Sequence, residues 1–147
     1  ENAKRILWLH IPPYYDNELF ELFAPNGENL VVGNELMWDW IYPVDPDRPL
    51  ESLAKKLVFN PLCGSVVERG EFCLGLARDF NVDGVIHFSH WGCRQSSGGV
   101  PFLKRLFEGK KIPFLELTGD CVDHSSQGAG QLRTRVEAFL EILENRR

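Results

Sequence analysis

Four short, mainly apolar runs recur along the chain: Ile6-Leu7-Trp8-Leu9, Leu30-Val31-Val32, Val85-Ile86-His87-Phe88 and Phe114-Leu115-Glu116-Leu117, each bounded by Gly, Pro, Asn or Asp. Continuous rather than alternating runs are the mark of strands covered on both faces. Helical patterns lie between them. Residues 16–23 start at Asp16 as N-cap and carry Leu19, Phe20, Leu22 and Phe23; residues 50–58 and 65–80 follow, separated by Asn60-Pro61. In the second of these, Val66, Gly70, Cys73, Ala77 and Phe80 recur at helical spacing and form one inward face. Residues 100–109 present Leu103, Leu106 and Phe107, and a last helix carries Leu132, Val136, Phe139, Leu140 and Leu143. The alternation predicts an α/β fold, a four-stranded parallel sheet with helices on both faces. Right-handed crossovers then favour a flavodoxin-like strand order of 2-1-3-4. The Pro-rich residues 42–49 read as one long loop.

That order has a functional consequence, because ligands of such sheets sit beyond the carboxyl ends of the strands where the order reverses. Here these are the segments after the first and third strands, His10-Ile11-Pro12-Pro13-Tyr14-Tyr15 and residues 89–99. With 147 residues, 44% hydrophobic and 25% charged, residues 1–147 have the balance of one globular domain. Lys plus Arg number 16 against 21 Asp plus Glu, and a net charge of -5 gives no reason to expect nucleic-acid binding. No apolar run approaches the roughly 20 residues that span a bilayer, so no membrane segment is expected and the chain reads as cytoplasmic. It begins without Met directly before a strand-like run, and the expectation is a domain of a longer polypeptide.

The four cysteines, Cys63, Cys73, Cys93 and Cys121, form no CxxC pair, so each needs its own explanation. Cys73 lies on an apolar stripe and reads as core. Cys63 precedes a helix, and Cys121 ends the fourth strand. Cys93 stands in the segment His90-Trp91-Gly92-Cys93-Arg94-Gln95-Ser96-Ser97-Gly98-Gly99, where a loop can bend around a ligand. Arg94 and the N–H groups of the next helix would stabilise a thiolate or an anion there. A structural cysteine is the bland alternative. The series His87, His90, Cys93 suggests zinc, with Cys121 or His124 as fourth ligand, but residues three apart on a strand tend to opposite faces. Asp120, Asp123 and Glu116 are possible acids, bases or Mg²⁺ ligands without any pairing by spacing. Arg133 and Arg135 could reach a phosphate or stay solvated, and neither phosphate-loop signature for nucleotides occurs.

Several segments together resemble one family. Asp83-Gly84-Val85-Ile86-His87, the Cys93 segment with Arg94-Gln95-Ser96, and residues 130–139 resemble the C-terminal part of 2-hydroxyacyl-CoA dehydratase subunits, a family that includes the benzoyl-CoA reductase cluster-binding subunits. Residues 7–15 and 61–69 fit the same pattern. The resemblance implies the C-terminal α/β domain of a subunit holding a 4Fe-4S cluster through three cysteines, two of them from the preceding part. The matching ligand in this chain is Cys93, while Cys63, Cys73 and Cys121 match none. Ser89, Arg94, Ser96 and Ser97 are then expected around the cluster, since hydrogen bonds to sulfur help set its potential. The implied reaction is loss of water from an (R)-2-hydroxyacyl-CoA through a ketyl radical anion. Its implied partners are a related second subunit, an ATP-dependent 4Fe-4S activator protein and the acyl-CoA substrate. With one matching cysteine the isolated chain should be inactive. A non-catalytic α/β binding module is the alternative of another class, and a benzoyl-CoA reductase-like domain is the alternative within the family.

Overall fold

The computed structural model describes residues 3–15, 17–23, 27–40, 42–123, 125 and 130–146. Four parallel strands, β1 (Lys4–Leu9), β2 (Asn29–Asn34), β3 (Gly84–His90) and β4 (Phe114–Gly119), form one sheet in the order β2-β1-β3-β4. The expected α/β architecture and strand order are therefore present. Helices α1 (Asn17–Glu21), α2 (Pro49–Val58), α3 (Val66–Asp79), α4 (Arg94–Gly109) and α5 (Gln131–Glu144) connect and follow the strands, with a 3₁₀ turn at Glu35–Trp40.

Alternation along the strands divides the core into two layers. Ile6, Trp8, Ile86 and Phe88 pack with Leu19 of α1 and with Leu132, Val136, Phe139, Leu140 and Leu143 of α5. Their neighbours Leu7, Leu9 and Val85 face the other way, against Cys73 and Ala77 of α3 and Val100, Leu103 and Phe107 of α4. Asp83 fixes the start of this arrangement: its carboxylate accepts the Arg5 N–H at 2.8 Å, while its own N–H donates to the Arg5 carbonyl at 2.8 Å. Gly84 comes next because α5 closes over it. A Cβ there would lie 2.8 Å from Phe139 Cζ and 3.0 Å from a Leu143 methyl. Gly84→Ala is expected to cost about 1–3 kcal/mol through overpacking, read as a lower urea midpoint with an unchanged m-value.

Helix α3 is set by a capping box in which the Ser65 hydroxyl accepts the Glu68 N–H and the Glu68 carboxylate accepts the Ser65 N–H at 2.7 Å. Two elements differ from the sequence expectation. Helix α1 is shorter than residues 16–23, ending in i→i+3 bonds from Leu22 to Leu19 and Phe23 to Phe20; its expected cap, Asp16, lies outside the described residues. Helix α4 starts at Arg94 rather than at 100, with Pro101 inside it. Ser96, Ser97, Gly98 and Gly99 are poor helix formers, but packing overrides them: Ser96 is fully buried, and a Cβ at Gly99 would stand 3.0 Å from a Val66 methyl of α3. Helix α2 buries none of its residues, and Leu50, Leu57 and Val58 are 82%, 62% and 74% exposed. No helix among the described residues is long and apolar enough to cross a membrane.

Candidate functional site

The earlier start of α4 shrinks the expected loop to Trp91, Gly92 and Cys93. Strand β3 continues through His90, the Trp91 N–H donates to the Gly119 carbonyl at 3.1 Å, and the Cys93 N–H donates back to His90 at 3.0 Å. Cys93 is the N-cap of α4, at the carboxyl edge of the sheet. Its carbonyl accepts both the N–H and the hydroxyl of Ser97, each at 3.0 Å, whereas its side chain makes no capping bond. The thiol is half-buried beside the 58% exposed Trp91. Ahead of it the N–H groups of Arg94, Gln95 and Ser96 have no acceptor within the helix. Gln95 reaches across to hold the Leu62 carbonyl at 2.6 Å. Arg94 and Ser97 are exposed.

Behind Cys93 lies a buried polar network that the sequence analysis missed. Glu35, Arg69 and His87 are 5%, 2% and 0% exposed. Glu35 follows β2, and its carboxylate receives four donors. Arg69 Nη2 at 2.5 Å and the His10 N–H at 2.6 Å reach Oε1, while Arg69 Nε at 3.0 Å and the Cys73 thiol at 3.3 Å reach Oε2. His10, in the left-handed region with φ 67°, is turned so that its N–H can make that bond. Burial opposes the Arg69 charge, but the bonds and charge of Glu35 outweigh it, and the guanidinium stays ionised above its ordinary value; Cys73 and Cys93 act in the same direction. Burial, reinforced by Glu35, pushes the Cys73 thiol well up, in keeping with an inert core cysteine.

His87 links this network to β4. Its Nε2 faces Arg69 Nη2 at 3.4 Å, which assigns Nε2 as acceptor. Nδ1–H then donates to Ser89 Oγ at 3.3 Å, and Ser89 donates to Glu116 at 2.9 Å. Ser96 Oγ lies 3.5 Å from the same Nε2. Thus Ser89 and Ser96 are buried on internal partners, and Ser97 donates to the backbone of Cys93. Burial lowers the His87 pKa to about 3, helped by the Arg69 charge and by His10, whose own pKa burial also lowers. Both rings are neutral and stacked 6.0 Å apart. Below pH 6.5 an unfolded chain takes up protons that the folded chain refuses. Stability is therefore expected to fall as pH drops from about 6.5 toward 3, by up to about 1.4 kcal/mol per pH unit from His87, with a contribution of the same sign from His10. Melting curves between pH 7 and 4.5 check this, and a His87→Asn variant should show a flatter slope.

The remaining candidates gather elsewhere. His87 and His90 do face opposite sides, so His87, His90 and Cys93 make no common site. Ligand atoms of His90, Asp120 and Cys121 lie within 4.8 Å of one another. Two of these side chains close the segment after β4: His90 Nδ1 accepts the Cys121 N–H at 3.3 Å, and Asp120 accepts the N–H groups of Val122 and Asp123. The bonds from Asp123 and Val122 hold the Asp120 carboxyl below its usual pKa. His124, the other suggested zinc ligand, lies outside the described residues. Arg133 pairs with Glu137 at 2.9 Å, and Arg135 donates to the Glu116 carbonyl at 2.6 Å. Cys63 is exposed and Cys121 buried.

A model of the family described as 2-hydroxyglutaryl-CoA dehydratase, D-component, matches residues 1–143. The chain belongs to this family. As a D-component chain it is 32% identical over 144 residues to the (R)-2-hydroxyglutaryl-CoA dehydratase subunit alpha of Acidaminococcus fermentans. That match covers 95% of this chain and 29% of the relative, so the chain spans less than a third of that protein's length. The D-component match extends over all four strands and nearly all of α5, and the family resemblance read from the residues is thereby established.

Proposed function

We propose that residues 1–147 are one α/β domain, the C-terminal one, of a longer 2-hydroxyacyl-CoA dehydratase subunit, and that Cys93 supplies one ligand to its 4Fe-4S cluster. The observation that carries this reading is the half-buried Cys93 thiol, free of capping duty, at the carboxyl edge of β3 in a chain of this family. The donor chemistry fits one ligand and no more. Cys73 is a core thiol with a raised pKa, Cys121 belongs to the apolar layer under α5, and Cys63 is exposed in the turn before α3. Thiolates are the usual ligands of such clusters, so the remaining ones are assigned to the preceding part of the subunit. The exposed apolar stripe of α2 supports the same division, as a surface for that preceding part to cover.

When bound, the cluster supplies the single electron that makes a poorly acidic substrate lose water. This chain's own contribution is to orient Cys93 through the Ser97 bonds, to present the α4 N-terminus to negative charge, and to exclude water with the layer around His87. The substrate is an (R)-2-hydroxyacyl-CoA, and the partners are a related second subunit and an ATP-dependent 4Fe-4S activator protein.

The test is turnover: the full-length subunit, its partner subunit, the activator and ATP are combined anaerobically with (R)-2-hydroxyglutaryl-CoA. The expected product is the enoyl-CoA, formed only with activator and ATP. In a parallel assay with an aromatic acyl-CoA as substrate, reduction of the ring would favour a reductase, and inertness toward both substrates would favour a binding module.

A further inference from the structure

His90, Asp120 and Cys121 bring three different metal-binding groups to the carboxyl ends of β3 and β4. Their ligand atoms lie within 4.8 Å of one another. Strand pairing puts them there: His90 stands opposite Gly119, the last residue of β4, so Asp120 and Cys121 arrive beside its ring. Backbone bonds hold this corner in place without any ion. The Trp91 N–H donates to the Gly119 carbonyl at 3.1 Å, and the Tyr14 N–H donates to the Cys121 carbonyl at 3.1 Å.

Each of the three side chains keeps a donor atom that the fold does not fully use. Asp120 spends Oδ1 on the N–H groups of Val122 and Asp123, while its Oδ2 stands 4.0 Å from His90 Nδ1, too far for a hydrogen bond. Nδ1 accepts the Cys121 N–H at a long 3.3 Å. A Cβ at Gly92 would stand 3.1 Å from Nε2, so the chain lies against that nitrogen and Nδ1 is the one turned to Asp120 and Cys121. The Cys121 thiol is buried, and the bonds of its residue run through the backbone N–H and carbonyl.

We propose that His90 Nδ1, Asp120 Oδ2 and Cys121 Sγ form a binding site for a zinc-class divalent cation. The site uses none of the residues assigned to the cluster and does not rest on that assignment. Thiolate, imidazole and carboxylate together select a borderline-soft ion such as Zn²⁺ over Mg²⁺ or Ca²⁺, which take oxygen ligands. Ligands about 2.0–2.3 Å from such an ion stand about 3.3–3.8 Å apart in a tetrahedron, so these three close by about 1 Å, within reach of χ rotations. The ion displaces only the long Cys121 N–H bond at Nδ1, and the thiol gives its proton to solvent as the metal–sulfur bond forms. His90 and Asp120 are partly exposed and give the ion a way in. Three protein ligands leave a fourth position for water or another oxygen donor. Two of the residues raised for zinc by the sequence, His90 and Cys121, thus meet, with Asp120 in place of His87 and Cys93.

The experiment is a Zn²⁺ titration of the full-length subunit carrying Cys93→Ala, purified without iron or sulfide and stripped of metal, in competition with a chromophoric chelator. Removing the Cys93 thiol makes the outcome independent of the cluster. The expected result is one equivalent of Zn²⁺ that is bound at least about tenfold more weakly on adding either Asp120→Asn or Cys121→Ser. With Co²⁺ in place of Zn²⁺, the thiolate charge-transfer band should lose intensity in Cys121→Ser. Asp120→Asn keeps an Oδ1 to accept the Val122 and Asp123 N–H groups, so it decides the matter should Cys121→Ser fail to fold. Zinc held equally well by the parent and by Asp120→Asn overturns the proposal. So does a parent that binds no zinc, and the three residues then serve only to close the segment after β4.

Discussion

Arg69→Met is expected to destabilise the 147-residue chain by about 3–5 kcal/mol, because it strands a buried carboxylate rather than merely deleting a contact. Glu35 is 5% exposed and would keep only the His10 N–H and the Cys73 thiol as donors. Methionine fills much of the arginine's volume, so lost charge pairing is the main term. The double change Arg69→Met/Glu35→Gln should recover a large part of the loss, since replacing both members of a buried pair is often close to neutral. Against a total stability of about 5–15 kcal/mol the single change is large, and urea unfolding of both variants measures the difference. A single variant no less stable than the double one would contradict the network as described.

Phe107→Ala should be about as damaging, at about 3–5 kcal/mol, from transfer and cavity terms together. Its ring is fully buried, 5.8 Å from that of Phe114, which is stacked 6.2 Å from His87. The aromatic layer is thus the dry wall of the polar network. A cavity opened there lets water approach His87, whose low pKa of about 3 comes first from burial. The His87 ring should accordingly titrate closer to its ordinary value in the variant, followed by its proton resonances. Loss of stability with no movement of that titration would show that the ring is shielded from another side.

The two layers of the fold were legible because continuous apolar runs and helical stripes are imposed by burial itself. Cys73, called a core residue from its stripe, is in the core. The start of α4 was not legible, since Ser-Ser-Gly-Gly argues against a helix unless close packing on α3 is known. Nor was the Arg69–Glu35 pair, whose members stand 34 positions apart on elements that meet only in the folded chain. One signal was present: Arg69 lies four residues before Cys73, on the inward face of α3, where a charge needs a buried partner. The segment around Cys93 was placed at the ligand edge by strand order alone. Its serines are expected from the resemblance as donors around a cluster, and their internal partners, Glu116 for Ser89 and His87 near Ser96, lie on elements that only the fold brings together.

The role proposed for Cys93 is tested most directly by iron. Full-length subunit and its Cys93→Ala variant, both reconstituted anaerobically with iron and sulfide, are compared by iron content per chain and by the spectrum of the reduced protein. The account predicts a 4Fe-4S cluster in the parent and its loss from the variant, with Cys63→Ala retaining it. A cluster of the same stoichiometry and spectrum in Cys93→Ala would contradict it.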